Sequence, residues 1–282
     1  VTRGNPLRAR AFLDYLDPAR GIYTAVFENG GKILLAGQIT HTGGSKSSNL
    51  SFIAPFRGLD HEDLYALLDH LAEQAGEWGT FHLLVEADEH SNPFDIFRTA
   101  GFSVYAWQRV WKYRTGSGLP EDAANECWYS ATERDQIAIK SLYQSLVPAL
   151  VQPVENLFDK RLTGLVCRSN NNVIGYADII SGRDGTWVQP YIHPEIDNVH
   201  TIVSGLLRQV ERRTAGAVYI CVRSYQAWIE SALEDLPVLA SPRQALLVKH
   251  LAISQHAAVP IGAPVFEKSH TKPSVAHAEQ NR

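Results

Sequence analysis

Two stretches of the chain place their apolar residues with the same spacing. Leu64, Leu67, Leu68, Leu71, Ala72 and Ala75 recur as Val199, Ile202, Val203, Leu206, Leu207 and Val210. Both sets follow the i, i+3, i+4, i+7 rhythm of a helix with one buried face. Ahead of them, Ser51–Leu64 can be laid on Thr186–Val199 without a gap, setting Pro55 on Pro190 and Phe56 on Tyr191. Behind each helix comes a short apolar run, Phe81–Val85 and Val218–Val222, that reads as a buried strand. The pattern predicts one strand–helix–strand module present twice.

The remaining segments fall into place around the modules. Ile22–Glu28, Asn29-Gly30-Gly31 and Lys32–Thr40 form a hairpin signal, because Asn-Gly supplies the positive φ angles of a tight turn. A polar loop, Thr42–Ser48, leads to a third strand over Asn49–Phe56. After the helix at about 61–78 and its strand, a short helix over Asn92–Ala100 with Pro93 in its first turn ends at Gly101, and Ser103–Tyr113 closes the first copy. The second copy begins with a strand at Glu126–Ala131 and a helix at Thr132–Leu146, where Thr132 and Asp135 suit a capping box. It continues with a hairpin around Asn170–Asn172, a strand at Thr186–Ile192, the repeated helix and strand, a helix over Tyr225–Leu236 and a strand at Gln244–Leu251. Asn5–Asp17 carries a short amphipathic pattern, and little periodicity remains beyond Ser254. The expected division is residues 1–114, a linker at 115–124, residues 125–253 and a disordered tail at 254–282.

Composition narrows the function classes. A net charge of -4 disfavours nucleic acid and anionic membrane surfaces as partners. No apolar run has the length to span a bilayer, and the N-terminus lacks the order of a signal peptide, so the expected location is cytoplasmic. Cys127, Cys167 and Cys221 are scattered, and the two that fall in apolar strand-like runs read as small core residues rather than bridges or metal ligands. The chain contains no methionine, which raises the expectation that it starts inside a longer one.

This order of elements, strand, helices, three-stranded meander, helix, strand, helix, strand, resembles that of the GNAT superfamily of acyl-CoA N-acyltransferases. Asp95–Phe102, ending in Gly101-Phe102, is similar to that family's stretch after its last helix. The resemblance implies an α/β chain of two tandem GNAT-like domains, each with a mixed sheet and with acetyl-CoA or another acyl-CoA as substrate. It implies an amine of a small molecule or peptide as acceptor, no metal, and an oligomeric state that leaves a homodimer open. The first copy has only Asn5–Asp17 ahead of its meander, so its first strand is expected to be missing or supplied from elsewhere.

In the family, backbone N–H groups at the start of the long helix cradle a pyrophosphate, and glycine lets the backbone approach. The corresponding stretches here are Phe56-Arg57-Gly58 and Tyr191-Ile192-His193, the first with one Gly and the second with none. Asp60, Glu62, Glu195 and Asp197 follow them and suit a helix dipole, while repelling a phosphate. The family also splays the strands on either side of that helix to admit the pantetheine arm. The reaction needs a base for the amine and an acid for the leaving thiolate. The family's Tyr position falls on Phe97 in the first copy, and Tyr225 is the candidate acid in the second. Glu86, with Asp88, Glu89 and His90, follows the first copy's strand at the carboxyl edge of the sheet and is the candidate base. His193 is a further candidate. Two readings follow: an acyl-CoA-dependent N-acyltransferase, or a catalytically degenerate GNAT-like binding or scaffold protein. The second copy's phosphate stretch favours degeneracy there.

Overall fold

The computed structural model describes residues 21–29, 32–55, 59, 63–119, 127–159, 162–170, 172–182, 185–214 and 216–251. The expectations for 5–17, 56–58 and the segment beyond 254 lie outside them. The first copy runs β1 (Ile22–Asn29), β2 (Lys32–His41), β3 (Ser47–Ala54), α1 (Leu64–Glu77), β4 (His82–Asp88), α2 (Asn92–Thr99) and β5 (Ser103–Tyr113). The second runs β6 (Trp128–Ser130), α3 (Gln136–Leu146), β7 (Leu165–Ser169), β8 (Asn172–Gly182), β9 (Gly185–Ile192), α4 (Val199–Glu211), β10 (Ala217–Arg223), α5 (Trp228–Glu234), β11 (Val238–Ala240) and β12 (Gln244–His250).

Local chemistry accounts for the helix ends. α1 buries Leu64, Leu67, Leu68, Leu71, Ala72 and Ala75, the positions whose spacing predicted it. Ser91 caps α2 by accepting a hydrogen bond from Phe94 N, and Gly101 beyond its end takes φ +86°, a left-handed conformation that favours glycine. Thr132 and Asp135 form the capping box expected of them, ahead of a 3-10 turn at Glu133–Asp135 that leads into α3.

The sheets of the two copies merge. The strand order is β1-β2-β3-β4-β12-β5-β10-β9-β8-β7-β6, with β11 beside β5. β12, the last strand of the second copy, lies between β4 and β5 of the first, antiparallel to both. The C-terminal half of β5 in turn lies between β10 and β11. Each copy's sheet is therefore completed by a strand of the other. α1 and α2 cover one face of the first copy's half, and α4 and α5 cover one face of the second. α3 packs on the opposite face of the second half, over Tyr176 and Tyr191.

Two expectations are corrected. Cys127 and Cys167 form a disulfide rather than standing as separate core residues, because the β6–β7 ladder sets Trp128 opposite Cys167 and brings the two cysteines side by side. Cys221 remains a buried thiol. The gap-free overlay of Pro55 on Pro190 also fails. The two hairpins match with Phe27 opposite Leu35 and Cys167 opposite Gly175, each beside a register shift, which sets Gly37 on Ala177. Gly37 lies opposite Ile53 and Ala177 opposite Pro190, so the ladders make Ile53 the counterpart of Pro190 and Pro55 that of Ile192. The connection from strand to long helix is longer in the first copy, and a gapless overlay hides that insertion.

Candidate functional site

The site begins where paired strands separate. β3 runs parallel to β4 through Ser47, Ser48 and Asn49, opposite His82, Leu83 and Leu84, and the pairing then stops. At that point the β2–β3 ladder shifts register and leaves Ser51 as an extra residue in β3. Such a bulge bends its strand and ends pairing. A cleft of about 570 Å³ opens there, lined by Asn49, Leu50 and Ser51 on one side and Leu84, Val85 and Glu86 on the other. Its far wall comes from the second copy, with Glu155, Asp178, Gln189, Tyr191 and Arg223.

The second copy has the same divergence in a filled form. β9 pairs with β10 through Gly185–Val188, and no further pair follows. The freed β9 backbone groups are taken by side chains. Ile192 N donates to Gln226 Oε1 at 3.1 Å, and Gln226 Nε2 donates to Pro190 O at 3.0 Å. Trp228 Nε1 donates to Ile192 O at 3.3 Å. Gln226 is fully buried in this position. After β4 of the first copy, Glu89 turns toward Arg243 at 3.4 Å. β8 and β9 pair without a register shift, so the bulge belongs to the first copy.

The N-terminus of α4 is also occupied from within. Asn198 Oδ1 accepts from Thr201 N at 3.0 Å, and the His193 ring nitrogen Nδ1 accepts from Glu195 N at 3.3 Å. These are backbone donors that a pyrophosphate would need. Tyr191 and Ile192 lie within β9 and are buried. Phe56, Arg57 and Gly58 lie outside the described residues.

A buried polar chain joins the copies at the cleft. Arg223 Nη2 donates to Glu155 Oε1 at 2.8 Å, and Arg223 Nε donates to Glu155 Oε2 at 3.2 Å. Tyr105 OH donates to the same carboxylate at 2.6 Å. Arg223 Nη1 donates to Gln108 Oε1, and Gln108 Nε2 donates to Glu86 Oε2 at 3.1 Å and to Gln244 Oε1 at 3.0 Å. Burial, with Glu155 beside it, pushes the Tyr105 phenol well above its usual range. The Cys221 thiol is pushed up by burial to about 12, so it stays protonated and donates to Gln108 Oε1 at 2.9 Å.

The structure brings only some of the sequence candidates together. Glu86 lines the cleft. Tyr225 lies in the 3-10 turn after β10, and its buried hydroxyl has no hydrogen-bond partner among the described residues. Burial, with the Glu155 charge second, raises its pKa strongly. Phe97 packs edge-on against Phe102, with ring centroids 5.5 Å apart. His90, with φ +62°, lies in the turn after β4. Sequence reading missed Tyr105, Glu155 and Arg223. Arg223 carried a signal, since a charge closing the apolar run Val218–Val222 needs a partner at the end of a buried strand. Among the described residues, no group of three or more His, Cys, Asp or Glu is placed to hold a metal ion, and no helix is long and apolar enough to cross a membrane.

Replacing Gln226 with Ala leaves Ile192 N and Pro190 O without partners. The expected loss is roughly 2 kcal/mol of stability in urea unfolding, from the usual cost of buried unsatisfied groups. A loss below about 0.5 kcal/mol would show that the second opening is not sealed by this side chain.

No family model matches the sequence, and no curated protein matches it. Solved structures do. A GCN5-related N-acetyltransferase from Sphaerobacter thermophilus aligns with a TM-score of 0.54 at 11% identity, covering 86% of this chain and 84% of that one. A GCN5-related N-acetyltransferase from Kribbella flavida aligns at 0.51 and 13% identity, covering 86% and 93%. A functionally unknown conserved protein from Staphylococcus epidermidis aligns at 0.54 and 10% identity, covering 81% and 94%. With its repeated meander, long helix and parting parallel strands, the chain has the fold of the GCN5-related N-acetyltransferases, built twice along one polypeptide.

Proposed function

We propose that the first copy is an acyl-CoA-dependent N-acyltransferase, with acetyl-CoA as the preferred donor and a small-molecule or peptide amine as acceptor, acting in the cytoplasm. The observation that carries this reading is the separation of β3 from β4 at the Ser51 bulge, which leaves room for a pantetheine arm beside Glu86. Arg57 and Gly58 hold the phosphates. The Glu86 carboxylate takes the proton from the amine as nitrogen attacks the thioester carbonyl. The C–S bond then breaks, and the thiolate takes a phenolic proton. Tyr105, which lines the cleft, is the first donor to test. Tyr225 stands outside the lining, and Tyr105→Phe against Tyr225→Phe separates the two.

The second copy is read as a non-catalytic scaffold. Gln226 and Trp228 occupy its opening, and Arg223 closes β10 where Asp88 closes β4, a guanidinium in place of a carboxylate. A guanidinium does not serve as a proton acceptor at neutral pH.

Calorimetric titration with acetyl-CoA and with CoA tests the reading. Micromolar binding of one ligand per chain is expected, and Leu84→Trp, which fills the cleft, is expected to weaken it at least ~10-fold, about 1.4 kcal/mol. If neither ligand binds, the acyltransferase reading fails and the degenerate binding or scaffold reading replaces it.

A further inference from the structure

The polar chain across the two copies has only one self-consistent direction. A guanidinium only donates and a carboxylate only accepts. Arg223 therefore fixes Gln108 with its Oε1 toward the second copy and its Nε2 toward Glu86 and Gln244. Gln244, accepting on Oε1, is left to donate through Nε2 to Asp88 Oδ1 at 2.9 Å. A run of donors thus starts on Arg223 and ends on two carboxylates of β4. Gln108 is almost fully buried, so the alternative amide orientation would set its oxygen against Glu86 and its NH2 against a guanidinium. Both contacts would be repulsive.

We infer that Arg223 and Gln108 are positioning residues for the first copy, the second copy's Arg223 acting through Gln108 to aim the Glu86 carboxylate into the cleft. This rests on the reading of Glu86 as the base. The second copy then does more than support the sheet: its guanidinium sets the geometry of the neighbouring site.

The test uses the full chain labelled with 15N on glutamine side chains. The Gln108 amide protons are expected as a separated pair protected from exchange, and Glu86→Ala is expected to shift one of them. Arg223→Lys, which keeps a donor, should preserve the pair. The double variant Glu155→Met/Arg223→Met removes both buried charges together and is expected to stay folded while the Gln108 pair moves to the shifts of a free side-chain amide and loses its protection from exchange. A Gln108 pair unchanged in that folded double variant would overturn the inference. In turnover, Gln108→Leu is expected to lower kcat on the order of 10-fold while leaving the acetyl-CoA KM within about twofold, since misplacement of a catalytic group weakens the chemical step rather than binding. Equal kcat in Gln108→Leu and wild type would also overturn it. Acetyl-CoA calorimetry on the same samples separates the two claims. Binding with no change in the Gln108 signals removes the relay and leaves the acyltransferase reading, whereas the expected signals without binding do the reverse.

Discussion

Glu155→Ala is expected to cost about 3–5 kcal/mol of stability, because it strands a buried guanidinium without its counter-charge. Arg223 and Glu155 side chains are only 8% and 14% exposed, so water does not replace the lost carboxylate. Tyr105 loses its acceptor at the same time. The loop that bears Glu155 is tied to the first copy by a second contact, Ser47 Oγ donating to Val154 O at 2.9 Å. Loss of Glu155 is therefore also expected to loosen the wall of the cleft. Glu155→Gln keeps oxygen and size but not charge, and its cost should be smaller, roughly 1–3 kcal/mol for the weakened bonds. Urea unfolding of the two variants checks this. A cost for Glu155→Ala below about 1 kcal/mol would mean that Arg223 reaches solvent.

Glu86→Gln is expected to lower kcat by about 10²–10⁴-fold, the usual contribution of a general base. The substitution is isosteric, and its Oε1 still accepts from Gln108 Nε2, so the hydrogen-bond chain is kept. The KM for acetyl-CoA should change little, because in the proposed complex the pantetheine arm would pair with the parted strand backbone rather than with this carboxyl. The measurement is CoA release from acetyl-CoA, first with the wild type across a panel of amines, then with the variant and the accepting amine. A loss smaller than threefold would remove Glu86 from the chemistry and leave Asp178 or Glu155 as the base to test.

Much of the fold was legible because it is local. The helix faces, the Asn-Gly hairpin, the Thr132–Asp135 capping box and the glycine after α2 are each written in a few neighbouring residues. The exchange of β5 and β12 is not local. β12 carries a continuous apolar run and β5 a mixed aromatic one, and nothing along either strand states which sheet edge it will meet. The candidate site follows the same division. Glu86 was visible from its place at a strand's carboxyl end. Gln226 was not, since a glutamine that seals a backbone gap looks in sequence like any polar residue at a helix start. The disulfide was missed because 40 residues separate its cysteines, and only the β6–β7 register brings them together.

The exchanged strands also impose an order on folding during synthesis. When the first copy has emerged, the slot between β4 and β5 is still empty, and both strands present unpaired edges. Those edges find their partner only after β12 is synthesised, since His82 and Val85 of β4 pair with His250 and Leu247. Pairing over such a separation is slow, and open edges in the interval invite other chains. A nascent chain stopped before Gln244 is thus left with a first copy that is fully translated yet unfinished, and protection of that gap falls to whatever receives the chain during synthesis.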